Sequence, residues 1–304
     1  MRELNLTPEK KEEEFNRRII AEYLKYGSVD ELFRANGYDL PISYPGVHRL
    51  LNRWGIVKST GPNTKFSACI GFLVRMVEEE IPLESLYKRM PPSFRPSMTT
   101  LHRMYANVKR EVKKHIEDRN LRRVGSALVI TPNNNSNLVL IGHDISTPRL
   151  DVGKSYGALS LPMGFSKREE KNSESVLRVL QQEVFSKQVV YRDMVYKIPP
   201  QIVPFMYVDV ADVRVAVYHL RMPEELSTID KFTSYKITDF CFIDVSRLSG
   251  VGMKNSEIRA GTQEIAEGYL KYLSMKDISY RPDPIYVDSS LNLSLATLTL
   301  DSHY

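Results

Sequence analysis

Residues 164–183 read GFSKREEKNSESVLRVLQQE, and their spacing organises the reading of the whole chain. Gly164 is followed after five residues by Glu170 and after seven more by Arg178, with Leu180 and Glu183 close behind. The stretch before it, 157–164 (GALSLPMG), has the composition of a strand. After the loop, Ser173 is a good N-cap for a helix over 173–186. Its apolar face is Val176, Leu177, Leu180 and Val184. Val179, Gln182 and Glu183 stand at i, i+3 and i+4, which predicts that they point to one side.

This strand–loop–helix segment resembles the signature of the Nudix family, G-x5-E-x7-R-E-U-x-E-E-x-G-U, where U is a bulky aliphatic residue. The spacing is kept, but Val179 stands where the glutamate after the arginine belongs. Gln182 replaces the first of the closing glutamates, Phe185 the following glycine, and Met163 the first glycine of the preceding L-P-G-G. The resemblance implies an α/β/α Nudix-like sandwich with a mixed sheet over 124–280. For an intact box it also implies Mg²⁺-dependent hydrolysis of nucleoside diphosphate derivatives. Magnesium requires several carboxylate or water oxygens, and Glu183 alone does not supply them. The expectation is therefore no catalytic residue, no metal ligand and no cofactor, in a domain that binds rather than cuts. Glu264 and Glu267 are the only evident substitute acids. Glu170 and Arg178 read as a bracing ion pair, and Lys154, Arg168, Arg178 and Glu183 as candidate ligand-binding residues around the implied cleft. Some Nudix-like domains joined to DNA-binding modules sense ADP-ribose-like effectors in transcriptional repressors. There the DNA-binding part follows the Nudix domain, whereas here the helical part comes first.

The strands around the box are predicted from composition. Residues 126–131 (SALVIT) and 137–142 (NLVLIG) flank Pro132-Asn133-Asn134-Asn135-Ser136, a hairpin-like signal. Residues 203–210 and 213–221 form a second hairpin, 237–244 a further strand, and 257–273 a closing amphipathic helix. The tail 281–304 alternates in a β-prone way and has no assignable role.

The first 120 residues contain a repeat offset by 54 positions. Val29-Asp30-Glu31-Leu32-Phe33-Arg34 matches Leu83-Glu84-Ser85-Leu86-Tyr87-Lys88. Val47-His48-Arg49-Leu50-Leu51 matches Leu101-His102-Arg103-Met104-Tyr105. Each unit reads as three helices: 8–26, 29–35 and 45–54, then 67–80, 82–90 and 96–110 or beyond. The all-α N-terminal region is thus read as tandem helix-turn-helix units, 1–58 and 66–123, joined by the polar connector 58–65. The third helices would present Tyr44, His48, Arg49, Asn52 and Arg53, and then Thr99, Thr100, His102, Arg103, Asn107 and Arg110, to double-stranded DNA. Lys113, Lys114, Arg122 and Arg123 read as a solvated face.

Charge agrees with that division. Residues 1–123 hold 23 Lys and Arg against 16 Asp and Glu, and the remainder 19 against 21. A basic surplus confined to one end suits a polyanionic partner. No apolar run approaches the ~20 residues that span a bilayer. The two cysteines, Cys69 and Cys241, have neither zinc nor disulfide spacing and read as small buried apolar residues in a reducing cytosol. These features predict a multidomain cytoplasmic, nucleoid-associated regulator without a membrane segment. It would act as a homodimer or in a larger assembly, with a nucleotide-like effector. A Nudix hydrolase with altered metal ligands and a protein-binding adaptor in a nucleoprotein assembly are the alternatives.

Overall fold

The computed structural model describes residues 7–58, 70–71, 73–76, 82–89, 96–117, 123–193, 196–249, 257–275 and 283–297. A helical N-terminal region leads into a mixed-sheet domain. Three helices open the chain: α1 Pro8–Tyr26, α2 Val29–Ala35 and α3 Tyr44–Arg53. Gly27 ends α1 in the left-handed region at φ +83, and the Ser28 hydroxyl accepts from the Glu31 amide to start α2. Ile19, Ile20, Tyr23, Leu24, Leu32, Val47, Leu50 and Leu51 close a core between them. That core is completed by Val189 and Val190, which belong to the segment after the box.

Further along, α4 Leu83–Arg89 and α5 Met98–Glu117 follow. Ile70, Leu73, Val74, Leu83, Leu101 and Tyr105 are buried, but they share one core cluster with the sheet domain. Cys69, most of the connector 58–65, and the side chains of Met104 and Val108 lie outside the described residues.

The sheet domain has a five-stranded sheet in the order β4 (Met163–Ser166), β1 (Arg123–Thr131), β6 (Val213–Arg221), β5 (Met206–Val210), β8 (Ile285–Asp288). A three-stranded sheet carries β3 (Ala158–Ser160), β2 (Leu138–Asp144) and β7 (Ile237–Asp244). β1 shows the two-residue period directly. Leu128 and Ile130 pack with the box helix α6 (Asn172–Val179), through Val176 and Val179. Ala127 and Val129 pack on the other side, in the core that holds Ile265 and Tyr269 of the closing helix α8 (Thr262–Ser274). Helices thus cover both faces, which is why a parallel β1–β6 pair is built from a nearly continuous apolar run.

Four expectations from the sequence need correction. β1 and β2 do not form a hairpin; both edges of β1 are taken, by β4 and β6, so β2 pairs in the other sheet. Cys241 is exposed on β7 rather than buried. Arg123 is no solvated residue, since its guanidinium begins β1 clamped between Asp151 (2.8 Å) and Asp212. The tail is partly structural: Ile285–Asp288 pairs with β5, and Ser290–Thr297 forms a helix, α9, that packs on α5. Leu291 and Leu295 are buried, and the Asn292 side chain accepts from the Ala211 amide at the β5–β6 turn. The alternation Leu-Asn-Leu-Ser-Leu suits a strand in isolation, yet helical packing against α5 overrides it.

Leu291→Ala should therefore destabilise the fold by about 2–5 kcal/mol. Urea unfolding followed by circular dichroism measures this; an unchanged midpoint would mean that the tail packs only peripherally.

Candidate functional site

The box loop is held by a buried ion pair. Glu170 accepts from Arg178 at 3.2 Å, and both side chains are almost fully enclosed. Arg178 also donates to Ser166, and the Ser175 hydroxyl donates to Glu170 at 2.7 Å. A Cβ at Gly164 would stand 3.4 Å from the Arg178 guanidinium and 3.5 Å from a Glu183 oxygen, ordinary contact distances that place both groups beside the start of the loop. Arg178 thus braces the loop from behind.

The helix that should present the box residues ends early. Asn172–Val179 is α-helical, Leu180–Val184 is a π turn, and α7 spans Ser186–Val190. The Phe185 amide donates to the Leu180 carbonyl at 2.8 Å, five residues back. A π turn inserts an extra residue and rotates the side chains beyond it about the helix axis. Val179, Gln182 and Glu183 consequently do not share a side, contrary to the helical expectation. Val179 is buried in the core against β1, while Gln182 and Glu183 line the cleft.

Gln181 and Gln182 use their amides to grip the first helical unit. Gln181 donates to the Gly55 carbonyl (2.9 Å) and accepts from the Val57 amide (3.0 Å). Gln182 donates to the Val57 carbonyl at 2.7 Å. Trp54 adds a stacking contact, with the Arg192 guanidinium 4.0 Å from its ring centre. Where the family signature carries an acid, this chain carries a docking amide.

Beside this seam lies a cleft of ≈ 160 Å³. The sheet domain supplies Arg149, Lys154, Lys236, Arg259, Gln182 and Glu183; the first helical unit supplies Tyr26, Gly27, Ser28 and Glu31. Lys236 donates to Glu183 at 2.8 Å and to the Gln182 oxygen at 3.4 Å. Lys154 (3.5 Å) and Arg259 (3.3 Å) share the single buried carboxylate of Asp144. Burial works against the Asp144 charge, but Arg259 and Lys154 outweigh it and hold the carboxyl below its ordinary range. Burial pushes the Lys154 ammonium down to about 8; Asp144 resists this and Arg259 adds to it.

The donor set does not fit the magnesium that an intact box would hold. Val179 is in the core, the Gln182 amide is spent on Val57 and Lys236, and the Glu183 carboxylate already faces an ammonium. Among the described residues no group of three or more His, Cys, Asp or Glu is placed to hold a metal ion. Glu264 offers no rescue, since it accepts from the Ser290 amide at 2.6 Å at the start of α9, and Glu267 does not line the cleft.

The residues singled out from sequence fall in different places. Lys154 and Glu183 line the cleft; Arg178 lies behind it, and Arg168 lies on the outer loop beside Lys167, Glu169 and Val57. Arg149, Lys236, Arg259 and the Tyr26–Ser28 corner were not foreseen. They come from separate segments, and nothing local in the sequence distinguishes them from ordinary charged surface. On α3, Arg49, Asn52 and Arg53 are exposed, whereas Tyr44 bonds Asp30 (2.9 Å) and stacks on Phe33, with His48 tilted against it. On α5, Thr99, Thr100, Arg103, Asn107 and Arg110 are exposed. Thr100 bonds the Ser97 hydroxyl, Arg110 donates to Asn107, and His102 stands 3.5 Å from Glu84.

No protein-family model matches the chain, and no curated protein matches it. Solved structures similar to it include the MutT protein of Methanosarcina mazei Go1, at 12% identity and TM-score 0.34, covering 51% of this chain and 95% of that one. The Nudix domain of Shewanella oneidensis NrtR, complexed with ADP ribose, has 15% identity and TM-score 0.33 over 49% of this chain and 87% of that one. The C-terminal domain of mouse MUTYH, in complex with human PCNA, has 10% identity and TM-score 0.32 over 50% of this chain and 90% of that one. No helix among the described residues is long and apolar enough to cross a membrane.

Two measurements probe this geometry. Arg178→Ala strands Glu170 in the interior and should cost about 3–5 kcal/mol in urea unfolding; a loss within experimental error would contradict its bracing role. For Lys154, whose ordinary value is 10.5, the fold disfavours the charged form, so the unfolded chain keeps a proton that the folded chain releases between about pH 8 and 10.5. This group's contribution to stability therefore rises with pH across that window. The wild-type unfolding free energy minus that of Lys154→Met should rise accordingly, and a flat difference would count against the buried ammonium.

Proposed function

We propose that the chain is a sequence-specific DNA-binding regulator, in which tandem helix-turn-helix units, 1–58 and 66–123, precede a catalytically degenerate Nudix-like domain that binds a nucleotide-derived effector. The observation that carries this reading is the seam. Gln182, which departs from the hydrolase signature, and the neighbouring Gln181 hold the first helical unit beside a cationic cleft. A domain selected to cut would keep its carboxylates; one selected to report occupancy to an attached module benefits from replacing them with docking groups. The exposed Arg49, Asn52 and Arg53 on α3, and Arg103, Asn107 and Arg110 on α5, offer donors suited to phosphates and to guanine or adenine edges. Two modules joined in one chain gain affinity through effective concentration. The Nudix-like reading of the sandwich is supported by the box spacing and by the Glu170–Arg178 brace at its expected positions.

The hydrolase alternative has weaker support, because Lys236 sits on the remaining box carboxylate. It would be favoured by turnover of nucleoside diphosphate derivatives with Mg²⁺ that is lost in Glu183→Gln. For the regulator, retardation of genomic duplex fragments is the direct assay. Arg49→Ala with Arg103→Ala should abolish specific retardation, and wild-type binding should fall steeply as salt rises. Undiminished binding by the double variant would remove the third helices from the interface.

A further inference from the structure

The cleft has replaced the family's divalent cation with cations of its own. A box with three carboxylates is negative and attracts metal, which then attracts phosphate. Here one of the three positions is apolar and in the core, one is a neutral amide, and the third is neutralised by Lys236 at 2.8 Å. Lys154 and Arg259 approach from the other wall and share Asp144, which leaves one positive charge uncompensated in that triad. All three cations are nine-tenths or more buried. Such groups are costly to keep charged unless something anionic completes them. The cavity is already there, ≈ 160 Å³, which is room for a small anion and less than the ~300 Å³ of a drug-sized ligand site.

We propose that this cleft binds a phosphorylated ligand directly on Lys154, Lys236 and Arg259, without a divalent cation, and that the ligand thereby ties the first helical unit to the sheet domain. The tie rests on contact. Gly27 and Ser28 form part of the cleft wall, and a Cβ on Gly27 would stand 3.3 Å from the Lys236 ammonium. A phosphate seated on Lys236 therefore lies against the α1–α2 corner, and holding that corner is equivalent to holding α1 and α2. The inference deepens the effector reading above and rests on it only for its regulatory meaning. The corner also encloses the cations, which favours a small anion over the backbone of a duplex.

Trp54 is the chain's single tryptophan and lies on the seam against Arg192, so its fluorescence reports the docking of the first unit. The full-length protein is titrated with inorganic pyrophosphate in EDTA by isothermal calorimetry and, in parallel, by Trp54 emission. Saturable binding is expected, unchanged by added Mg²⁺ within about twofold, with an emission change that saturates at the same concentration. Lys154→Gln should weaken it by about tenfold or more, while Arg168→Gln, on the outer loop, should bind as wild type. Should Lys154→Gln fail to fold, amine-directed modification of the wild type with mass spectrometry gives the same answer, because pyrophosphate in EDTA should protect Lys154.

Binding that appears only with Mg²⁺, an absence of heat with folded wild type, or unprotected Lys154 would overturn the site. Heat without an emission change would overturn the tie to the first unit. No DNA is present in these titrations. Duplex retardation without pyrophosphate binding would thus remove the site and keep the regulator, and the reverse result would keep the site alone.

Discussion

The Leu180 carbonyl accepts from the amide five residues ahead instead of four, and that bond breaks the α-helical register of the box after Val179. An unbroken α-helix would carry Val179, Gln182 and Glu183 on one stripe over the cleft. Around the π turn, Val179 packs in the core with Leu128 and Ile130, while Gln181 and Gln182 bond the first helical unit and Gln182 and Glu183 line the cleft. The same turn delivers Val189 and Val190 into the core of the first helical unit. One local distortion thereby serves the sandwich interior, the seam and the cleft together.

The seam is polar where it meets the box and apolar beyond it, and each part does a different job. Val189 and Val190 lend burial to a three-helix unit that is small for independent stability. The glutamine amides add direction, because two donors and one acceptor must meet the Gly55 and Val57 backbone groups in register. The second helical segment is joined differently. Its buried residues run straight into the sheet-domain core and meet Leu291 and Leu295 of α9. The repeat in sequence thus does not mean two equivalent attachments in space.

Electrostatics in the cleft is a matter of subtraction. With Val179 and Gln182 at two of the positions, Glu183 is the single carboxylate of that stretch, and Lys236 balances it. Asp144 is then asked to neutralise two cations, and burial depresses the more vulnerable of them, the Lys154 ammonium. The Lys154–Arg259–Asp144 triad thereby keeps one positive charge beyond what its own carboxylate balances.

Much of this was legible in the chain. The helix boundaries around Gly27, Ser28 and Gly55, the buried faces Ile19–Leu24 and Leu50–Leu51, and the Glu170–Arg178 brace are local or periodic signals, set by caps and by the 3.6-residue repeat. That Val179 and Gln182 are not carboxylates is likewise a matter of residue identity alone. Tertiary structure decided the rest: that β1 and β2 part into different sheets, that Leu291 and Leu295 lie on a helix, that Arg123 is clamped by two aspartates, and that Lys236 and Arg259 enter the cleft. Each of these depends on which segments far apart in sequence compete for the same edge, face or charge. Such competition is settled only when the whole chain is packed, because no short window contains both competitors.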